Sequence, residues 1–405
     1  MNSNAVAVYI DRYVIHWSSV MIFFGVVAFL TMTLSLWKAK NPRSAALGFF
    51  FPLAIILSFL LSRLFHWYFN MEQYSAAFGS GILSGIVSSL TRFDIGSYCL
   101  PGVILGILLA ASLTRSFGFV SETGRLLDFA APGICLFVVF VRLSALFNGS
   151  CIGKRPVAFP VLQRFPFCVA ITDTAGTLTY RPAVFMLEAV LMVLAFFIIL
   201  GFFRNSRTVK MFSPCKSTGN VWRMFLIAYS MIEIVTDSLR TDSPLMHFTF
   251  LTGLNAYSAF ISFAQVTAAA FLLYVFLYYL IASIRANRFS WKHALAIILF
   301  ILSLVGVGFF GEYSIQRYGA VIRGYVIMVF SLFLIMAVSF SLYRSCAPEP
   351  EYYDCFHHLP QTLSFRQAVF SRLLVFSPKL KFPLAFFPNM VYIVQPENRF
   401  LSSVQ

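Results

Sequence analysis

Charged residues are scarce in this sequence: Asp, Glu, Lys and Arg make up 11% of its 405 residues, whereas a soluble domain carries about 25%. Hydrophobic residues account for 59%, and 48 residues are Phe. This composition excludes an ordinary soluble domain and favours a protein whose main solvent is lipid. The net charge is +15. Because no nucleic-acid-binding motif is present, we assign that excess to cytoplasmic loops and phospholipid head groups and predict no nucleic-acid partner.

Paired cysteines and metal-ligand patterns are also missing. The seven cysteines are odd in number and form no C-x-x-C pair, which argues against a disulfide framework. No group of ligand-type side chains has a standard zinc spacing, so we predict neither a metal nor a cofactor. The first residues, MNSNAVAVYIDRYVIHW, lack the basic start and cleavage site of a signal peptide. We therefore expect the apolar run that follows to stay in the membrane.

Long apolar runs, by contrast, are abundant. A membrane-spanning helix needs about 20 mostly apolar residues, and nine segments of this chain are candidates. They predict an all-α, polytopic integral membrane protein, in which the fourth and sixth segments are the weakest because they carry charge. The predicted spans are 17–37, 46–66, 99–119, 127–147, 183–203, 221–240, 257–283, 291–311 and 321–342, followed by a more polar tail over 346–405.

Basic residues in the loops predict the orientation of the helices, because cytoplasmic loops are enriched in Lys and Arg. The first, third, fifth and seventh connections hold more of them than the alternate connections. We therefore expect the N-terminus outside the cytoplasmic membrane and the tail in the cytosol. The basic connection 148–182 runs against this rule, but the rule is weakest for long loops.

Three arginines are predicted at the outer ends of separate helices: Arg63, Arg142 and Arg240. A charge at the centre of a bilayer costs at least ~2.5 kcal/mol, so such residues usually have a function. Planar guanidinium groups bind phosphate oxygens in pairs, and a phospholipid phosphate would fit a site of this kind. Three separate interfacial anchors would explain the same pattern equally well.

The sixth predicted helix carries Glu233, Asp237 and Arg240 at a spacing that places them on one face. Such a face should point into the bundle or into a wet cavity. It could take part in chemistry directly, or it could form a structural ion-pair network that neutralises itself.

One stretch also resembles a known family. The segment LDFAAPGICLFVVFVRLSALFNGSCIGKRP is similar, without gaps, to the signature D-L-x-A-P-x-I-P-L-G-Q-x-x-G-R-[IL]-G-N-F-x-N-G-E-x-x-G-R of the prolipoprotein diacylglyceryl transferases. Ungapped agreement over such a length is far more specific than a short motif. The matching residues are Asp128, Ala131, Pro132, Ile134, Leu136, Arg142, Leu143, Asn148, Gly149 and Gly153.

Further segments agree with the family pattern in the same order. They are IDRYVIHWSSVMIFFGVV, LSRLFHWYF, YRPAVFMLEAV, IAYSMIEIVTDSLRTD and FAQV, the last of which contains Gln265. The resemblance covers seven predicted helices. It implies a transferase-like membrane domain over 1–285, two additional transmembrane helices over 286–345, and a cytosolic tail over 346–405.

The resemblance implies a specific reaction at the outer face of the bacterial cytoplasmic membrane. The family moves the diacylglyceryl group of phosphatidylglycerol to the lipobox cysteine of a prolipoprotein signal peptide, without a cofactor. By this resemblance Arg142 and Arg240 are the catalytic candidates, because they would stabilise the departing phosphate. Phosphatidylglycerol-binding candidates are Arg63, Asp128, Asn148, Gly149 and Gly153; supporting candidates are Glu233, Asp237 and Gln265.

Several polar residues of the family pattern are replaced. Cys99, Leu100 and Pro101 stand where the family has a histidine motif, and Val138, Ala145, Ser150 and Glu233 replace a glutamine, an asparagine, a glutamate and an arginine. Three explanations remain open: an enzyme with a rearranged site, a different lipid donor or acceptor, or an inactive paralogue that still binds phospholipid or prolipoprotein. A transporter ranks last, because no inverted repeat is evident.

Overall fold

The computed structural model describes residues 6–10, 13–40, 45–69, 85–87, 90, 98–172, 177–204, 218–242, 261–318 and 321–345. Each of the nine predicted spans overlaps a helix, so the prediction of an all-α, polytopic membrane protein is confirmed. In chain order the helices are α1 (Trp17–Lys40), α2 (Ala45–Phe69), α3 (Leu100–Ser116), α4 (Thr123–Asn148), α5 (Val184–Arg204), α6 (Asn220–Leu239), α7 (Phe263–Asn287), α8 (Trp291–Val305) and α9 (Val321–Ser345). The predicted tail, 346–405, and the start of the seventh predicted span lie outside the described residues.

Two short hairpins accompany the helices, and the sequence patterns did not predict them. Strands β1 (Val6–Ile10) and β2 (Tyr13–His16) pair antiparallel just before α1. Strands β3 (Cys168–Thr172) and β4 (Leu178–Pro182) pair antiparallel in the connection between α4 and α5.

Seven helices of the described residues are long and apolar enough to cross a membrane. The expected weakness of the fourth span was wrong: α4 is 26 residues long and is one of these seven helices. The shortfall is in α3, which has 17 residues, and in α6. Helix α6 carries three charged residues within its span, and most of it is buried. Neighbouring helices therefore supply the apolar surroundings that α6 needs.

Several charged side chains are buried inside this bundle, and many large apolar side chains are exposed on its outside, as expected for a protein in lipid. Phe197, Ile198 and Phe330 are among the exposed apolar side chains, whereas Arg63, Arg142 and Glu188 are buried. Buried charges without a partner are very costly. The charged interior is therefore where a functional site should be sought.

Helices α2 and α3 approach each other unusually closely. A Cβ atom added at Gly106 would lie 2.4 Å from the Cα of Ser58, and one at Gly102 would lie 2.6 Å from the Cα of Ser62. Ser58 Oγ also donates a hydrogen bond to the Val103 carbonyl at 3.1 Å. Small residues four apart are the usual means by which membrane helices pack closely. This contact fixes the end of α2 that carries Arg63.

The C-terminal helices pack against α6 and α7. Helix α8 continues beyond Val305 as π-helical turns over Gly306–Tyr313 and a final turn over Ser314–Tyr318. The boundary predicted near residue 285, between a transferase-like domain and two added helices, stays a prediction.

Candidate functional site

Arg142, near the C-terminal end of α4, lies between two buried glutamates. Its Nη2 atom donates a hydrogen bond to Glu233 Oε2 of α6 at 2.5 Å. Its Nε atom lies 2.9 Å from Glu188 Oε2 of α5, in an ion pair that lacks hydrogen-bond alignment. The other oxygen of Glu188 accepts a hydrogen bond from Thr236 at 2.8 Å. Arg142 thus joins α4, α5 and α6 through charge pairs shielded from solvent.

Arg240 directly follows α6 and is held by two aspartates. Its Nε and Nη2 atoms each donate to Asp242 at 3.1 Å, one to each carboxylate oxygen, and its Nη1 atom lies 3.6 Å from Asp237 Oδ1. Burial raises the pKa of Asp242, but the hydrogen bonds from Arg240 outweigh burial and leave the pKa below its usual value. Asp242 therefore stays ionised at neutral pH, and its two oxygens fix the Arg240 guanidinium group in one orientation.

The loop after α4 connects the two arginines. Cys151 Sγ lies 3.8 Å from Arg142 Nη1, and the Cys151 backbone N–H donates to Asp242 Oδ2 at 3.1 Å. Burial raises the pKa of the Cys151 thiol, an effect that the guanidinium groups of Arg240 and Arg142 oppose. Both predicted catalytic candidates therefore converge on this loop.

Backbone hydrogen bonds tie the same loop to α5 and α6. Lys154 N–H donates to the Leu239 carbonyl at 2.9 Å, and Thr241 N–H donates to the Ile152 carbonyl at 3.0 Å. Phe185 N–H of α5 donates to the Cys151 carbonyl at 3.2 Å, and Gly153 N–H donates to the Pro182 carbonyl of β4 at 2.9 Å. A Cβ atom at Gly153 would lie 2.7 Å from the Pro182 ring, so the position requires glycine.

Asn148 and Gly149 form the turn at the end of α4. Gly149 adopts φ 70°, and its N–H bonds to the Ala145 carbonyl, as is usual for a glycine that ends a helix. The Asn148 side-chain oxygen accepts from Ser150 N–H at 3.0 Å and from Ser150 Oγ at 2.6 Å. The geometry explains why these residue types occur here, and their contact with a head group stays a prediction.

Two of the three predicted supporting residues, Asp237 and Gln265, meet at the start of α7. Ser262 donates a short hydrogen bond from its hydroxyl to Asp237 and forms a reciprocal cap with Gln265, whose N–H donates to Ser262 Oγ at 3.1 Å. The Gln265 side-chain amide donates to the Ile234 carbonyl at 3.2 Å. Gln265 and Asp237 thereby hold α7 against α6 beside Arg240.

Arg63 lies at the same end of the bundle as the two other arginines. It is 1% exposed, and its guanidinium carbon lies 5.5 Å from the centre of the Tyr98 ring. The neighbouring Ser62 accepts a hydrogen bond from Cys99 N–H at 2.8 Å. Cys99 in turn lies within electrostatic range of Arg142 and Glu233. Arg63 therefore lies on the α2–α3 side of the charged cluster that the preceding contacts define. The members of this cluster are Arg142, Glu188, Glu233, Asp237, Arg240 and Asp242.

Asp128 lies elsewhere. It is 20 residues from Asn148 on α4, which corresponds to about 30 Å. Its two oxygens accept from Gly219 N–H at 2.7 Å and from Trp222 N–H at 3.0 Å. Asp128 thus caps the start of α6 at the opposite end of the bundle. The structure does not bring it to the predicted lipid-binding group.

Replacing Asp128 with Ala is expected to lower the free energy of unfolding by about 1–2 kcal/mol, because two N–H groups at a helix start lose their acceptor. Lipid affinity should stay unchanged. Thermal unfolding in detergent and a lipid-binding titration would check this, with Asp128→Asn, which keeps one acceptor, as the milder variant. Weaker lipid binding at unchanged stability would instead support a direct role of Asp128.

An apolar cavity of about 360 Å³ lies between α1, α2, α3 and α4. Its walls are mainly aliphatic and aromatic, including Phe23, Ile107 and Phe137. Ser62 and Val141, which precede Arg63 and Arg142 in the sequence, also line it. An acyl chain would meet apolar walls here and cationic groups close by. Among the described residues, no group of three or more His, Cys, Asp or Glu side chains is arranged to hold a metal ion.

Two members of the cluster, Glu188 and Asp242, were not among the predicted site residues. Glu188 is the sole charged residue between Val184 and Phe203, and an isolated charge in a membrane helix is a functional candidate by itself. That signal could have found it. With Glu188, Glu233, Asp237 and Asp242, the cluster has more carboxylates than guanidinium groups, so an added anion would need a further cation or a proton.

These features define a class: a multi-pass membrane protein with a buried arginine–carboxylate site at one end of its helix bundle. The particular family follows from comparison with known proteins. Residues 5–281 match the family model described as prolipoprotein diacylglyceryl transferase, and the chain belongs to that family.

Named relatives are bacterial and distant in sequence. A protein named phosphatidylglycerol–prolipoprotein diacylglyceryl transferase from Streptococcus uberis is 26% identical over 238 residues, which cover 59% of this chain and 84% of that protein. The Clostridium novyi protein of the same name is 23% identical, with 60% of this chain and 86% of that protein covered. A Dehalococcoides mccartyi protein of that name is 30% identical over 157 residues, or 38% of this chain and 55% of that protein.

Proposed function

We propose that this protein transfers the diacylglyceryl group of phosphatidylglycerol to the cysteine thiol of a prolipoprotein lipobox. The observation that carries the proposal is the convergence of Arg142 and Arg240 on the loop 148–153. Family membership and the names of the relatives support the reaction class. We further infer that the site faces the outer leaflet, with the N-terminus outside and the tail in the cytosol.

The proposed chemistry is a displacement at one carbon of the diacylated glycerol, the carbon that is esterified to the phosphate. The lipobox sulfur forms a bond to this carbon, the carbon–oxygen bond breaks, and glycerol 1-phosphate leaves with the bonding electron pair. The thiol proton passes to a carboxylate of the cluster, which has several. Arg142 and Arg240 would stabilise the charge that grows on the departing phosphate.

The apolar cavity supports a lipid donor. A phospholipid needs apolar surroundings for its acyl chains and cationic groups for its phosphate. The cavity between α1 and α4 provides the first, and Arg63 and Arg142 lie next to residues that line it. Glu188 and Glu233 hold the Arg142 guanidinium in a fixed orientation, so little reorganisation is needed when charge develops.

The full-length protein, purified in micelles that contain phosphatidylglycerol, is expected to add a diacylglyceryl group to a lipobox peptide. Mass spectrometry of the peptide would detect the product. A peptide with serine in place of the lipobox cysteine and micelles of phosphatidylcholine are the controls. Absence of product under conditions in which a bacterial relative is active would refute the proposed reaction.

A second candidate is an inactive family member that binds phospholipid or prolipoprotein. The observation that favours it is the neutralisation of Arg142 by two buried glutamates, which leaves less charge for a phosphate. The same preparation distinguishes the two: retained phosphatidylglycerol binding without peptide modification would favour this alternative.

A further inference from the structure

The C-terminal helices carry a buried carboxylate toward the site. Glu312 lies in the π-helical turns after α8 and is 3% exposed. Turns of this kind are rare and occur frequently at functional sites, because they displace one side chain from the regular helical positions. The family match ends at residue 281, so Glu312 belongs to the part of the chain beyond it.

Glu312 is linked to a lysine of the site through one amide. Gln316 Nε2 donates a hydrogen bond to Glu312 Oε1 at 2.6 Å, and Gln316 Oε1 accepts from Lys154 Nζ at 3.2 Å. A glutamine amide can present either its donor or its acceptor, and here its NH2 group faces Glu312. Glu312 therefore fixes the amide so that its carbonyl oxygen faces the Lys154 ammonium group.

Lys154 is well placed to act together with Arg240. Its backbone N–H bonds to the carbonyl of Leu239, the residue before Arg240. Burial lowers the pKa of Lys154, and the charges of Glu312 and Asp237 oppose this. Among the described residues, no carboxylate lies within 4.0 Å of its ammonium group. Within the described part of the chain, no direct ion pair therefore neutralises the Lys154 charge.

Close packing against α9 fixes the position of Glu312 within the bundle. A Cβ atom at Gly311 would lie 2.9 Å from the Met328 Cβ of α9, and one at Gly324 would lie 2.4 Å from Ile315. Glycine at both positions lets the π-helical turns and α9 touch through their backbones. The segment that carries Glu312 and Gln316 is thus held rigidly beside Lys154.

We propose that Glu312 is a positioning residue that, through Gln316, holds the Lys154 ammonium group to bind the phosphate of an anionic phospholipid. This rests on the proposed function and assigns a role to the C-terminal helices within the same site. It also places a third cation, Lys154, beside Arg142 and Arg240 in the carboxylate-rich cluster.

The test measures binding of phosphatidylglycerol and of phosphatidylcholine to the full-length protein in detergent. Glu312→Gln, Gln316→Leu and Lys154→Ala should each weaken phosphatidylglycerol binding about 10-fold, the effect of losing one hydrogen bond to a charged group. Phosphatidylcholine binding should stay unchanged. The double variant Glu312→Gln/Lys154→Ala should be no weaker than Lys154→Ala alone, because both changes remove the same interaction. In a transfer assay KM should rise about 10-fold, with kcat changed less than about twofold.

Glu122→Gln is the matched control, because Glu122 accepts a hydrogen bond from Thr218 at the opposite end of the bundle. Wild-type affinity in Glu312→Gln or Gln316→Leu would overturn the proposal, as would additive losses in the double variant or an equal loss in the control. The binding assay also separates this proposal from the proposed function. Selective binding of phosphatidylglycerol without transfer to the peptide would refute only the proposed reaction. Wild-type protein that binds neither phosphatidylglycerol nor phosphatidylcholine would refute the positioning role of Glu312.

Discussion

Replacing Arg142 with Met is expected to abolish transfer and to destabilise the fold. The substitution leaves Glu188 and Glu233 buried without their cation, and breaking a buried ion pair on one side costs about 3–5 kcal/mol. Transfer should fall at least about 1000-fold, because one well-placed donor to a developing oxyanion is already worth about 100- to 1000-fold. Thermal unfolding and the peptide-transfer assay would measure the two effects separately.

A compensated variant distinguishes loss of folding from loss of chemistry. Arg142→Met combined with Glu188→Gln and Glu233→Gln removes all three charges of the group together. Stability should recover, since neutral replacement of a whole buried ionic group is often tolerated, while transfer stays absent. Arg115→Met, a change at an exposed arginine near the end of α3, is the matched control and should change neither property. Full activity in the compensated variant would remove Arg142 from the mechanism.

Replacing Arg240 with Ala is expected to reduce transfer at least about 100-fold. The change removes a guanidinium group and also releases Asp242, which anchors the Cys151 backbone. Arg240→Lys should restore only part of the activity, because an ammonium group cannot bind both oxygens of Asp242 as the planar fork does. Complementation of a strain depleted of its own transferase would measure all variants in one assay.

Arg317→Ala is the control for this series. Arg317 follows the family match in the sequence, and its side chain lies outside the described residues. We expect its replacement to change growth and transfer less than about twofold. Equal losses for Arg240→Ala and Arg317→Ala would contradict the assignment of Arg240 to the site.

Hydropathy alone predicted the helices, because each crossing of a bilayer requires an apolar run of similar length. It correctly ranked the sixth span as weak but misjudged the fourth, whose charged residues Asp128 and Arg142 flank a continuous apolar run. The two hairpins were not predicted because their strands are short and adjoin long apolar runs. Whether a helix is exposed to lipid or buried among other helices depends on the whole fold, and the hydropathy of one segment does not reveal it.

The candidate site was only partly predictable. The arginines stood out because charge is rare in these helices, and the structure brings Arg142 and Arg240 to one loop. Their partners depend on contacts between residues distant in sequence, such as Arg142 with Glu188. Asp128 shows the converse: a motif position suggested a lipid contact, whereas the side chain caps α6. Glu312 lay beyond any motif, and only helix packing brings it near Lys154.

The backbone bonds that join the loop after α4 to α5 and α6 have a consequence for turnover. They fasten the ends of three helices together on one flank of the bundle, so that flank cannot part without breaking several backbone hydrogen bonds. The flank formed by α1 and α2 contains the apolar cavity instead. In the proposed reaction, each cycle admits a fresh lipid and releases a modified protein, and we expect both to pass between helices on the flank that contains the cavity.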